Sequence, residues 1–91
     1  MKSLKIKVRG TVQGVYFRKY TQAKAEELGL KGWVANRVDG SVDILAMGKA
    51  DTMLQFQKWL WTGSPGSMVG SVAVEETNPQ ELEGFSIIDT F

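Results

Sequence analysis

The spacing of hydrophobic residues changes along this chain in an order that few folds can accommodate. Residues 3–10, SLKIKVRG, alternate between apolar and polar or charged side chains, which predicts a half-buried strand. From about Phe17 to Leu28 apolar residues recur instead at helical spacing, and Gly29 is typical of a helix end. A strand is therefore followed, after a short loop, by an amphipathic helix.

A second strand-to-helix succession follows a predicted hairpin. The pair Asp39-Gly40 between two apolar runs is a strong signal for a tight turn that joins two strands. Helical spacing returns from Asp51 to about Trp61, and a segment rich in Gly, Pro and Ser ends that helix. The predicted strands are residues 3–10, 31–38, 41–47 and 68–77, with a short last strand at residues 85–89.

The predicted order is β-α-β-β-α-β with a short extra C-terminal strand. Two right-handed β-α-β halves joined by a hairpin place both helices on one face of an antiparallel sheet. This α+β arrangement is the ferredoxin-like fold. The chain has 91 residues, enough for one hydrophobic core, so we expect a single domain over residues 1–91.

Composition excludes several classes of function. The chain has no Cys and no His, which removes disulfides, thiolate nucleophiles, and the usual general base and metal ligand. The formal net charge of +1 is too balanced for binding that depends on many nucleic-acid phosphates. The charged N-terminal residues lack the apolar core of a signal peptide, and no apolar run approaches a membrane span. We expect a cytoplasmic protein with no nucleic-acid or membrane partner.

The loop before the first helix, within the stretch RGTVQGVYFRKY at residues 9–20, is the first candidate site. A glycine-rich turn in front of a helix directs several backbone N–H groups to one point, and the helix terminus adds positive potential. This arrangement favours a phosphate-like anion, over which Arg18 would place its planar fork of donors. Alternatively, Gly10 and Gly14 are ordinary turn residues and Arg18 is a solvated surface side chain. The loop matches neither the Walker A nor the GxGxxG pattern.

Asn36 is the second candidate, because it lies in the middle of a predicted strand, where Asn is disfavoured. It is either an exposed residue near the hairpin turn or a polar side chain that faces the mouth of the first loop. The side chains of Gln13 and Thr11 are placed to support that loop by hydrogen bonds.

Residues 10–42 resemble the acylphosphatase family through two signatures. The first, Gly-x-Val-Gln-Gly-Val-x-Phe/Tyr-Arg, is matched by Gly10, Val12, Gln13, Gly14, Val15, Phe17 and Arg18. The second, Gly-Trp-Val-x-Asn followed by Asp-Gly-x-Val, is matched by Gly32, Trp33, Val34, Asn36, Asp39, Gly40 and Val42. Both match in full, and the rest of the chain agrees more weakly in length and element order.

The resemblance implies an enzyme that hydrolyses the carboxyl–phosphate anhydride of small acyl phosphates without a cofactor or metal. It implies that Arg18 binds the phosphate and that Asn36 holds the attacking water. Backbone amides of the loop complete the phosphate site: Gln13, Gly14, Val15, Tyr16, Phe17 and Arg18. We expect a monomer for which inorganic phosphate is both product and inhibitor.

The implied chemistry suits a chain without His. The leaving carboxylate has a conjugate acid with a pKa of about 4–5, so it departs at neutral pH without a general acid. Phosphoryl transfer depends mainly on positioning and on charge stabilisation. One alternative is an RNA-binding module of the same element order, although Trp33 is its only aromatic strand candidate. The other is a domain that binds a phosphorylated metabolite without hydrolysing it, which would not need a water-holding Asn36.

Overall fold

The computed structural model describes residues 1–89, and the predicted order of elements is confirmed. The elements are β1 (Lys2–Thr11), α1 (Phe17–Glu27), β2 (Lys31–Asn36), β3 (Val42–Gly48), α2 (Ala50–Thr62), β4 (Met68–Glu76) and β5 (Phe85–Ile88). The second strand ends two residues earlier than predicted, because the N–H of Arg37 donates to the carbonyl of Ser41 (2.8 Å) and starts the turn there. The predicted domain also includes residues 90–91, which lie outside the described residues.

The strands form one sheet in the order β4-β1-β3-β2-β5. The first four strands are antiparallel to their neighbours, as the ferredoxin-like prediction requires. β5 lies parallel to β2, so the extra strand makes the sheet mixed and not purely antiparallel. The physical reason is that β4 runs opposite to β2, and the chain reverses direction once more before it reaches the far edge of the sheet.

Both helices pack on one face of the sheet and bury its apolar side chains. Their core-facing residues are Phe17, Thr21 and Ala25 from α1, and Met53, Phe56 and Leu60 from α2. The alternation in β1 places Leu4, Ile6 and Val8 against them. None of the helices in residues 1–89 is long and apolar enough to cross a membrane.

The other face of the sheet is partly covered by the segment that links β4 to β5. Leu45 and Met47 point to this face but are only 2% and 1% exposed. The N–H of Gln80 donates to the sulfur of Met47 (3.2 Å), which places the linking segment over them. Half-buried Trp33 is the register partner of Leu45 on this face.

A bulge at the end of β1 directs the chain into the loop before α1. The register between β1 and β4 shifts between Arg9 and Gly10. A Cβ atom at Gly10 would overlap the carbonyl oxygen of Met68, and the φ of Gly10 is +134°. Only glycine fits this position without displacing the neighbouring strand.

Candidate active site

The loop between β1 and α1 holds two residues in the left-handed backbone region. Gly14 has a φ of +75°, and Tyr16, which precedes the first residue of α1, has φ and ψ of 59° and 22°. Such changes of backbone hand turn successive N–H groups toward one side, which is the geometry of an anion nest. A tyrosine in this conformation is uncommon and costs about 1–3 kcal/mol, a strain that is concentrated at functional sites.

The backbone N–H groups at the start of α1 are available to a ligand. The first backbone hydrogen bond of the helix runs from the N–H of Tyr20 to the carbonyl of Tyr16 (3.0 Å). Within residues 1–89, no hydrogen bond has a backbone N–H of residues 14–19 as its donor. The first turn carries no acidic residue that would offset the positive end of the helix dipole. This end of α1 therefore suits an anion.

Side chains from two other segments hold the loop in place. The carboxamide nitrogen of Gln13 donates to the carbonyls of Arg37 (2.7 Å) and Ser41 (2.9 Å), which confirms the predicted supporting role of this residue. The hydroxyl of Ser64 donates to the carbonyl of Val15 (2.7 Å). Thr11, the other predicted support, makes no side-chain hydrogen bond in the part of the chain that the structure describes. The Ser64 contact was missed because the sequence shows only a polar residue in a turn.

Arg18 is oriented by the last strand of the sheet. One guanidinium nitrogen, Nη1, donates to the carbonyl of Ile88 in β5 at 3.0 Å. An arginine has five N–H donors in a rigid fork, so this bond fixes the plane of the guanidinium and leaves the other donors for a ligand. The role of Ile88 was not predictable from the sequence, since a backbone carbonyl carries no sequence signal.

Asn36 is the last residue of β2 and not a mid-strand residue as predicted. Its side-chain oxygen Oδ1 is buried and has no hydrogen-bond partner among the described residues. A buried acceptor without a partner costs about 1–3 kcal/mol. The hydroxyls of Ser3 and Thr21 are also buried without partners within residues 1–89, but of these three residues Asn36 alone lines a cavity together with Arg18. The position of Asn36 at the strand end places it beside the loop.

One cavity of about 340 Å³ contains both candidate side chains. Its lining residues are Val12, Gly14, Tyr16, Phe17, Arg18, Lys19, Asn36 and Ile87. The structure thus brings Arg18 and Asn36 together with most of the predicted loop. Gln13 and Val15 do not line the cavity: the Gln13 side chain bonds to the hairpin, and Val15 packs against the core.

The charge around the cavity favours an anion. Arg18 and Lys19 are the charged residues of its lining. Sequence reasoning missed Lys19, although its position directly after Arg18 in the first turn of α1 was a usable signal. The residues that the structure describes contain no group of three or more His, Cys, Asp or Glu side chains placed to hold a metal ion.

Comparison with known proteins gives one consistent result. The family model described as Acylphosphatase matches residues 4–87. An acylphosphatase of Thermotoga petrophila is 47% identical over 87 residues, which cover 96% of this chain and 97% of that protein. The crystal structure of acylphosphatase from Bacillus subtilis is 42% identical with a TM-score of 0.93, covering 97% of this chain and 99% of that one. An acylphosphatase structure from Coxiella burnetii is 38% identical, also with a TM-score of 0.93, covering 96% of this chain and 92% of that one.

Proposed function

This chain belongs to the acylphosphatase family and hydrolyses acyl phosphates, and we propose that Arg18 and the loop amides hold the phosphate while Asn36 holds the attacking water. The observation that carries the proposal is the single cavity that both side chains line. The small acyl phosphate is the substrate, with its phosphoryl group in the cavity.

The phosphoryl group is held by donors that are fixed before it arrives. The backbone N–H groups of residues 14–18 face no partner within residues 1–89, and the guanidinium of Arg18 is oriented by Ile88. Donors preorganised toward a developing anion each contribute about 10²–10³ in rate. The nearby ammonium of Lys19 adds positive potential at the same cavity.

Asn36 orients the nucleophile through its unpartnered oxygen. Oδ1 is an acceptor, so it takes a hydrogen bond from one O–H of the water and leaves an oxygen lone pair free to attack phosphorus. A carboxamide is too weak a base to remove the proton, and we propose that an oxygen of the substrate phosphate accepts it. The bond from water oxygen to phosphorus forms as the bond from phosphorus to the acyl oxygen breaks.

The products are a carboxylate and inorganic phosphate. The carboxylate leaves without protonation at neutral pH, so the reaction needs neither a general acid nor a metal ion. Because inorganic phosphate fits the same donors as the substrate, we propose that it is a competitive inhibitor. We further propose a monomer, since residues of one chain form the whole cavity, and a cytoplasmic location, which suits a small domain that folds without cysteine.

The two alternative functions have less support. A module that reads RNA bases needs exposed aromatic rings on its sheet, whereas Trp33 is partly buried on a face that a connecting segment partly covers. A domain that only binds a phosphorylated metabolite gives no reason for the buried, unpartnered oxygen of Asn36.

The proposed division of roles is tested by comparing Asn36→Ala with Arg18→Ala. Phosphate release from acetyl phosphate and from benzoyl phosphate is measured with EDTA present, beside thermal melts with and without inorganic phosphate. Asn36→Ala should lower kcat sharply yet keep its stabilisation by phosphate, about 2.7 kcal/mol at a hundred times the dissociation constant. Arg18→Ala should lose turnover and most of this stabilisation.

Two results would contradict this mechanism. One is an Asn36→Ala protein that turns over normally or loses phosphate stabilisation as fully as Arg18→Ala. The other is a wild-type protein that loses turnover on chelation and regains it with Mg²⁺.

A further inference from the structure

A second cavity, of about 380 Å³, adjoins the first along the outer side of α1. Tyr16 and Lys19 line both cavities, and Tyr20 and Ala23 complete the second. Because Tyr16 and Lys19 border both, the two cavities are neighbours on the surface that runs from the loop before α1 along the helix. We name the surface formed by Tyr16, Lys19, Tyr20 and Ala23 the tyrosine shelf.

The spacing of the shelf residues follows from the helix. Residues three and four positions apart lie on one helix face, so Lys19, Tyr20 and Ala23 form a single row next to Tyr16. The N–H of Tyr20 donates to the carbonyl of Tyr16 (3.0 Å), which fixes the two tyrosines one turn apart. The small side chain of Ala23 leaves the space beyond Tyr20 open.

The fold itself gives no reason for two tyrosines here. The side chains of Tyr16 and Tyr20 are on the solvent side of α1, and these residues are 74% and 45% exposed. Neither phenol hydroxyl makes a hydrogen bond in residues 1–89. Tyr16 also occupies a left-handed position in which glycine or asparagine would be less strained.

We propose that the tyrosine shelf binds the acyl group of the substrate and selects for flat aromatic acyl groups. This inference rests on the proposed function, because a phosphoryl group held by Arg18 in the first cavity carries its acyl group covalently toward the second. The volume is sufficient, since a protein cavity of about 150 Å³ already holds benzene. A ring that packs against an aromatic side chain gains binding worth roughly two- to tenfold beyond its buried area.

Acetyl phosphate and benzoyl phosphate together isolate the contribution of the shelf. Both carry the same phosphoryl group and the same anhydride bond, so both use Arg18 and Asn36 in the same way. The acetyl group ends at a methyl, whereas the benzoyl group extends by a whole ring along the helix. The ratio of kcat/KM for benzoyl phosphate to kcat/KM for acetyl phosphate therefore measures how much the tyrosine shelf favours an aromatic acyl group.

Tyr20→Ala is the variant that tests the shelf, because Tyr20 contributes no donor to the phosphate. Alanine is a strong helix former, so α1 is retained. We expect the benzoyl-to-acetyl ratio to fall roughly two- to tenfold in Tyr20→Ala and to keep its wild-type value in Tyr20→Phe, which retains the ring. Leu54→Ala is the matched control, since Leu54 is 54% exposed on α2 and lines a different cavity. Its ratio should equal that of the wild type.

A second variant adds a charge in place of removing a ring. Ala23→Glu puts a carboxylate, which requires hydration, at the far end of the shelf and should also lower the ratio. If both substrates are hydrolysed and the ratio is unchanged in both Tyr20→Ala and Ala23→Glu, the proposal that the tyrosine shelf binds the acyl group is refuted. The hydrolytic mechanism is unaffected by that result. Equal losses on both substrates would refute the shelf proposal too, because they indicate a structural effect. A wild-type protein that hydrolyses neither substrate would overturn the proposed function and the shelf with it.

Discussion

Replacing Gln13 with alanine removes the side chain that joins the loop between β1 and α1 to the hairpin between β2 and β3. Its carboxamide nitrogen uses both hydrogens, one for the carbonyl of Arg37 (2.7 Å) and one for that of Ser41 (2.9 Å). The hairpin begins directly after Asn36. These two bonds therefore help to set the distance between the loop that we propose to hold phosphate and the strand end that we propose to hold the water.

The size of the effect follows from the bonds that remain. A typical hydrogen bond contributes a net 0.5–1.5 kcal/mol, so two give about 1–3 kcal/mol of the free energy of unfolding. Both carbonyls keep a backbone partner, Ser41 from the N–H of Arg37 (2.8 Å) and Arg37 from that of Gly40 (3.1 Å), which favours the lower half of this range. In a chain of this size this lower half, about 1–2 kcal/mol, lowers the Tm by roughly 4–16 °C.

The assay combines thermal melting with turnover of acetyl phosphate. We expect Gln13→Ala to lower the Tm by the amount given above. We also expect kcat to fall by a larger factor than the affinity for inorganic phosphate, because Arg18 and the loop amides remain in place. Gln55→Ala is the matched control, since Gln55 is exposed on α2 and makes no side-chain hydrogen bond in residues 1–89. A Gln13→Ala protein with the wild-type Tm and kcat would refute the reasoning, as would a loss of phosphate affinity equal to the loss of kcat.

Two further predictions concern Arg18 and Asp39. Arg18→Lys should lower kcat/KM by about 10²–10³ or more, because one ammonium group cannot donate to the carbonyl of Ile88 and also present a planar fork of donors to the phosphate. Near-native turnover would contradict the proposed role of Arg18 in binding phosphate. The hydroxyl and the N–H of Ser41 both donate to the carboxylate of Asp39 and hold its pKa below the ordinary value of 3.8. The charged Asp39 therefore stabilises the fold above pH 3.8, and this stabilisation is lost as the pH falls toward the pKa of the folded state. The Tm of Asp39→Asn should therefore depend less on pH between about pH 5 and pH 2 than that of the wild type, and parallel curves would contradict this.

The order of elements was predictable because it depends on local hydrophobic spacing. The change from alternation in residues 3–10 to helical spacing after Phe17 identified β1 and α1, and the Asp39-Gly40 turn identified the hairpin. The parallel pairing of β5 was not predictable, since it depends on which edge of the sheet the chain reaches after β4. Local sequence carries no information on that choice.

The two residues proposed for the site were easier to predict than the residues that orient them. Arg18 and Asn36 stood out through the family signatures, and the structure places them in one cavity. The contacts that orient them come from residues distant in the sequence, such as the hydroxyl of Ser64 and the carbonyl of Ile88. A single sequence gives the type of a residue but not the partner that folding brings to it.

If Arg18 holds the phosphate as proposed, its bond to Ile88 makes activity depend on an edge of the sheet. β5 is four residues long and, within residues 1–89, pairs with one strand only. The end of a short edge strand opens locally at lower free energy than the core does, and opening at Ile88 would release the guanidinium while Phe85, which is buried in the core, stays packed. Heating should then inactivate the enzyme before it unfolds. The highest temperature at which this protein works would then be set by the opening of its shortest strand at Ile88 and not by the unfolding of its hydrophobic core.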